Sequence, residues 1–351
     1  MKRNTIFATL LLLLLAPTTF AQTHVTQRKP GSYDDGITYY LPRTRLQIVI
    51  TADRTTHHAG ELAPYAQQYL RISDAAQTDY DEWQIMSIAL IPYGVADSTR
   101  AYTVRFNQRS SASFLKLAPD GCLLAINGEA ADVPQLATPS VTPVQGAPAD
   151  RGGYKTQEML AAGSTEKMAE LAAEEIYDIR ENRSLLSKGQ ADFMPADGEQ
   201  MKLMLATLDR QEKGLLRLFT GYETKERHVL TLDYEPDPSR GQRDVAFRFS
   251  RWNGLVDRDD LSGEPYFFDL QFAAPPAPQS AQTSETLRYM APGNVTLALT
   301  SRAGTHLGAT IPMAQYGRVE NLGGDLFNNQ FRTHVTVSPI NGGILKIEVA
   351  K

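Results

Sequence analysis

Apolar residues in this chain recur at every second position on both sides of one stretch where they recur at every third or fourth. That change of period constrains the fold more than any motif does, because strands bury alternate residues and helices bury one stripe. In "RTRLQIVIT", Leu46, Ile48 and Ile50 share one face while Arg45, Gln47 and Thr51 take the other. "WQIMSIALIPYG", from Trp83, is apolar on both faces, as in a strand covered twice. "LAPYAQQYLRI" interrupts the alternation. There Leu62, Tyr65, Ala66, Tyr69 and Leu70 recur at three and four, and Pro64 suits a first helical turn.

Between residues 163 and 219 the period is helical. Met168, Leu171, Ala172, Ile176 and Ile179 line one face, and Met201, Met204, Leu205, Leu208, Leu215 and Phe219 line another. "GQADFMPADG" separates them and Gly221 follows, which predicts an antiparallel helical hairpin whose two Met-bearing stripes form the seam. From His228 the period returns to two, with candidate strands at 229–234, 245–250, 266–272, 295–300 and 310–313. Two similar stretches, "LKLAPDGCLLAI" (115–126) and "VTVSPINGGILKIEV" (335–349), read as hairpins turning at Asp120-Gly121 and Asn341-Gly342.

The predicted class is therefore α+β, mainly β: two β-rich sandwich- or barrel-like parts with an antiparallel helical hairpin between them. With 351 residues the chain is long for one core. The expected division is a leader over 1–21, a flexible lead-in over 22–36 and an N-terminal β-rich domain over 37–128. A Pro-rich linker follows over 129–155, then the helical hairpin over 156–222 and a C-terminal β-rich domain over 223–351.

Lys2 and Arg3 precede the short apolar run Ile6–Ala16, and Thr19-Phe20-Ala21 offers a small-x-small cleavage signature before Gln22. This is the pattern of a secretory signal peptide, too short to span a bilayer. The residue after the cleavage signature is not Cys, so a lipid anchor is not expected. The predicted location is secreted or periplasmic, without a membrane span. Losing Lys2 and Arg3 takes the formal charge from −5 to −7 (−5 − 2), and no Lys/Arg run remains to neutralise phosphates, which argues against nucleic acid. The single Cys, Cys122, closes no internal disulfide and reads as a small buried hydrophobe.

The chemical signals are few. "STEK" places Lys167 three residues after Ser164, but the partner motifs of serine penicillin-recognising enzymes are missing. Ser164 reads as a helix cap, with Glu166 at the positive end of the dipole. "DRDDLSGE" gathers Asp257, Asp259, Asp260 and Glu264, yet its spacing misses the calcium-binding EF-hand loop. His57 and His58 are adjacent and in a strand point to opposite faces, while His228, His306 and His334 stand apart. Tyr39, Tyr40, Tyr93, Trp252, Tyr266 and Phe268 are candidates for a sugar-stacking face, although strand-borne aromatics mostly fill cores. No catalytic, cofactor-binding or metal-ligating residue is assigned, and no cofactor is expected.

Four blocks together carry a resemblance: "YYLPRTRLQIVI" with "LAPYAQQYL", then "LDRQEKGLLRLFTGYE", then "MAQYGRVENLGGDLFNN" running into the terminal hairpin. Their order resembles a secreted bacterial domain-of-unknown-function family, the 4831-numbered type, from gut-type anaerobes and of about this length. The resemblance spans roughly residues 37–350. It implies export and no assigned activity, and carries over no site residue. The leading expectation is a non-enzymatic cell-envelope protein that binds or scaffolds a partner, an envelope protein or a glycan. The alternatives are a carbohydrate-binding module and a hydrolase with its site between the β-rich parts.

Overall fold

The computed structural model describes residues 24–28, 36–105, 115–148, 154–273, 286–323 and 332–350. The leader reading for 1–21 lies outside them. Strand outweighs helix, 51% to 22%, and the sheets are antiparallel, one a half-barrel: the chain is α+β, mainly β.

Three sheets carry the fold. The first runs β1-β3-β2-β7-β6, with β1 His24–Gln27, β3 Tyr80–Arg105, β2 Ile37–His58, β7 Tyr222–Tyr234 and β6 Ser140–Gln145. The second runs β12-β11-β10-β8-β9, with β12 Gly304–Leu322, β11 Leu287–Ser301, β10 Glu264–Phe272, β8 Arg243–Ser250 and β9 Gly254–Val256. The third runs β14-β13-β5-β4, with β14 Ile344–Ala350, β13 Arg332–Val337, β5 Leu123–Ile126 and β4 Leu115–Leu117. The two look-alike hairpins thus lie side by side, joined where Val335 pairs with Ile126. Sheets cross the sequence division between 37–128 and 223–351, since β7 joins the first sheet and β13 and β14 join β5.

Strand β2 serves two cores because its alternation changes parity at Pro42. Tyr39 and Leu41 are buried on one side of it, and Leu46, Ile48, Ile50 and Ala52 on the other. The ladder to β3 shifts register between Tyr40 and Pro42, where proline lacks the N–H an even ladder needs. Leu46, Ile48 and Ile50 pack against Phe247, Phe268, Leu297 and Met313 of the second sheet. Tyr39 and Leu41 pack against Ile126, Met290 and Val335. The β11–β12 ladder shifts register between Ala291 and Gly293. A Cβ on Gly293 would stand 2.1 Å from the Tyr316 carbonyl oxygen, and one on Gly317 2.0 Å from that of Ala291, so glycine lets the two strands meet there.

The turn of the terminal hairpin fills this junction. Ser338 and Asn341 are buried, unlike residues of an ordinary surface turn. Thr44, wholly buried, donates its hydroxyl to the Ile340 carbonyl (3.1 Å) and accepts from the Ala314 amide (3.0 Å). Asn341 donates Nδ2 to the Pro312 carbonyl at 2.9 Å. Only the glycine of each turn pair adopts positive φ, Gly342 at 71° and Gly121 at 87°.

Two stretches read as irregular contain strands. In the lead-in, β1 pairs with β3, because Val25 reaches the second core. In the Pro-rich stretch, β6 pairs with β7 as an edge strand, and the ladder shifts between Pro143 and Gln145. An edge tolerates proline because its outer N–H needs no partner.

The helices follow the sequence closely. A 3₁₀ turn (Ala63–Tyr65) leads into α1 (Ala66–Leu70). After α2 (Gln157–Leu160) come α3 (Thr165–Lys188) and α4 (Gly198–Thr220). Ser164 caps α3 by accepting the Lys167 amide, Asp197 caps α4 by accepting that of Gln200, and Gly221 ends α4 at φ 75°. Ala169, Ala172, Ile176, Leu215 and Phe219 close the proximal seam over Leu62 and Leu70. No helix among the described residues is long and apolar enough to cross a membrane.

Candidate functional site

The sequence-predicted groups separate. His57 and His58 fall on opposite faces of β2, as alternation requires. His58 stacks on Tyr222 (centroids 4.6 Å apart) and its Nδ1 lies 3.3 Å from Asp79. His228 lies against Trp83, His306 contacts Ser301, and His334 contacts the Asn127 carbonyl. Lys167 reaches Glu170 at 2.8 Å and Ser164 is spent on its cap, so the pair forms no nucleophile. Cys122 is buried, and burial pushes its thiol up, aided by the neighbouring Asp120 carboxylate.

Asp257, Asp259 and Asp260 are exposed in the β9–β10 loop. The Ser262 amide donates to Asp260 and holds its carboxyl below the usual range, which suits an anion rather than a proton donor. Asp257 and Asp260 border a shallow hollow of about 470 Å³ with Arg258, Leu232 and Phe247. Among the described residues, no group of three His, Cys, Asp or Glu is placed to hold a metal ion.

The helical seam changes character along its length. Beyond the apolar proximal part, Arg180 bonds Glu212 (2.6 Å), and Arg183 bonds Asp209 (2.6 Å) and Glu212 (2.7 Å). Distal to these pairs the helices enclose a hollow of about 570 Å³ lined by Leu185, Leu186, Phe193, Leu203, Met204 and Leu208. Met168 packs in the seam as expected, whereas Met204 faces open volume. This hollow joins apolar surface to the polar side chains of Asn182, Gln190, Asp192 and Thr207.

The sugar-stacking candidates sort by exposure. Tyr39, Tyr266 and Phe268 are core. Trp252, in the β8–β9 turn, is 55% exposed and stands edge-on to Tyr80, itself 42% exposed, with ring centroids 6.2 Å apart at 73°. Tyr80 begins β3 and shares its outward parity with Glu82. His57 stacks on Tyr80 with ring centroids 5.0 Å apart. The Arg251 guanidinium lies 5.1 Å from the Trp252 ring centre and bonds Glu82 at 2.8 Å. Neither ring nitrogen of His57 has a hydrogen-bonding partner among the described residues, and the Glu223 carboxylate is 3.7 Å away, beyond a hydrogen bond.

The fold holds this platform firmly. The Trp83 amide donates to the Arg251 carbonyl (2.7 Å), tying β3 to the turn that carries Trp252. Gly254, at φ 69°, lets the Trp83 ring seat against the turn, for a Cβ there would stand 2.9 Å from the indole. The result is two half-exposed rings set edge to face, Tyr80 backed by His57 and Trp252 by Arg251, beside the Glu82 carboxylate. Such a surface stacks on flat or CH-rich ligands and hydrogen-bonds their polar edges. Sequence reasoning named Trp252 but missed Tyr80 and His57. The available signal was Tyr80 in "DYDEW", an aromatic at the polar parity of its strand.

No curated protein and no solved structure matches the chain. The family model described as Domain of unknown function (DUF4831) matches residues 35–345, and the chain belongs to that family.

Proposed function

We propose that this is an exported cell-envelope protein that works by binding, and that the Trp252–Tyr80 platform is its ligand face. One observation carries the reading. Most aromatic side chains of the strands pack inward, yet these two stand exposed together, braced by Arg251, Glu82 and His57. Two exposed rings held together at a tied junction give a stacking ligand a fixed surface. The leader pattern at 1–21 supports export. The exposure of Asp257, Asp259 and Asp260, with the Asp260 carboxyl held low by the Ser262 amide, supports binding over hydrolysis.

The ligand class that suits the platform best is a glycan. Sugar rings present CH faces to aromatics and hydroxyls to Glu82 and Arg251, while His57, its ring nitrogens buried, backs the Tyr80 ring. The chain has two tryptophans, and Trp83 is packed against Gly254, so fluorescence changes on ligand addition report Trp252. Titrating the exported chain with a panel of envelope glycans is expected to shift that emission saturably. A panel that leaves it unchanged, with no heat of binding by calorimetry, refutes the assignment.

A further inference from the structure

Among the described residues, strand β14 is an edge with an unusual pattern and pairs with β13 alone. Leu345, Ile347 and Val349 are 59%, 52% and 58% exposed. Ile347 pairs with Val335, which is fully buried, so this apolar row lies on the core-facing side of the sheet but overhangs the core. Lys346 and Glu348 take the other face and bond each other at 2.6 Å. Exposed edges are usually blunted by proline, bulges, charge or a covering segment. β14 has a register shift that leaves Leu345 extra opposite Val337, and it carries the charges Lys346 and Glu348. From Lys346 to Ala350, however, its ladder is regular, and no proline or covering segment lies on it among the described residues.

We propose that β14 pairs antiparallel with β14 of a second copy of this chain, about a twofold axis through Ile347, joining the third sheets of the two copies into one. The sequence is self-complementary in that register. Leu345 meets Val349 of the second copy, Ile347 meets Ile347, and Lys346 meets Glu348 of the second copy in both directions. Displacing the register by two residues sets Lys346 against Lys346 or Glu348 against Glu348, which opposes pairing. A one-residue slip sets Lys346 against Ile347. Only the register centred on Ile347 aligns both the apolar row and the charges, and such a surface closes as an isologous dimer.

The test uses the exported chain, residues 22–351, with Cys122 buried and so unreactive in the folded state. Sedimentation is expected to show a monomer–dimer equilibrium. Ile347→Lys should weaken it on the order of 100-fold, since two isoleucines leave the interface together, while circular dichroism and melting stay unchanged because the residue is exposed. Ile347→Cys should form an interchain disulfide under mild oxidation, because paired Cα atoms of antiparallel strands lie about 4.5–5.5 Å apart, within disulfide reach. Leu345→Cys should not, because the two copies of that residue would stand ~14 Å apart along the strands. A monomer at every concentration, a dimer indifferent to Ile347→Lys, or equal cross-linking of both cysteine variants overturns the proposal.

Discussion

Asp53 is the most constrained charge among the described residues, and replacing it by Asn should cost measurable stability in a pH-dependent way. Its side chain is 1% exposed on β2. It accepts from Arg227 through both oxygens, at 2.7 and 3.0 Å, and from Lys225 at 3.0 Å. Each charge-assisted bond contributes about 1.5–3 kcal/mol when its partner is dry. Arg227 and Lys225 are 45% and 33% exposed, however, so water recovers much of that when the carboxylate goes. The amide oxygen of the substituted side chain also retains one neutral acceptor. The net expectation is about 2–3 kcal/mol, below the roughly 3–5 kcal/mol typical of breaking a fully buried pair.

Bonding from Arg227, then Lys225, lowers the Asp53 pKa from 3.8 to about 2. A carboxyl lowered on folding adds stability above its unfolded value that disappears as pH falls through the folded one. The gap between wild type and Asp53→Asn should therefore be full at pH 7, shrink from about pH 4 downward and vanish near pH 2. Urea unfolding followed by circular dichroism measures it. A gap that is equally large at about pH 2.5 and pH 7, or under about 0.5 kcal/mol at pH 7, refutes the argument, because it would place the effect in packing or in nothing.

Further outcomes follow from the junction, the thiol and the leader. Thr44→Val keeps shape but strands the Ala314 amide and removes the bond to the Ile340 carbonyl, so chemical denaturation should show a loss of about 2–4 kcal/mol. Cys122 should resist a thiol reagent at pH 8 in the folded protein and react at once in denaturant; rapid native labelling would contradict its burial. The exported protein should have an intact mass that begins at Gln22, and a mass retaining Lys2 and Arg3 would refute the leader reading.

How much of this was legible in the sequence depends on how local each feature is. Leu46, Ile48 and Ile50 announce a half-buried strand by themselves, and Ser164 and Gly221 bound helices by local chemistry. The parity change at Pro42 was not legible, because Tyr39 and Leu41 are apolar in either reading until their partners Met290 and Val335 are known. The two hairpins looked like parallel solutions in separate parts of the chain, yet Val335 pairs with Ile126 across 209 residues (335 − 126). β1 and β6 were too short, and β6 too rich in proline, for a periodic signal. The platform was half legible. Trp252 was named, but nothing in a one-dimensional pattern brings Tyr80 to the β8–β9 turn, and His57 was weighed only as a metal ligand.

The central claim is that Trp252 and Tyr80 exist to hold a ligand, and comparative calorimetry of Trp252→Ala and Tyr80→Ala against wild type, with the best glycan from the panel, tests it most directly. Both residues are exposed, so both variants should melt as wild type does, while affinity falls about 5- to 30-fold in each, matching the roughly 1–2 kcal/mol expected of one stacking contact. Undiminished affinity in both variants would contradict the claim and move the binding face elsewhere on the molecule.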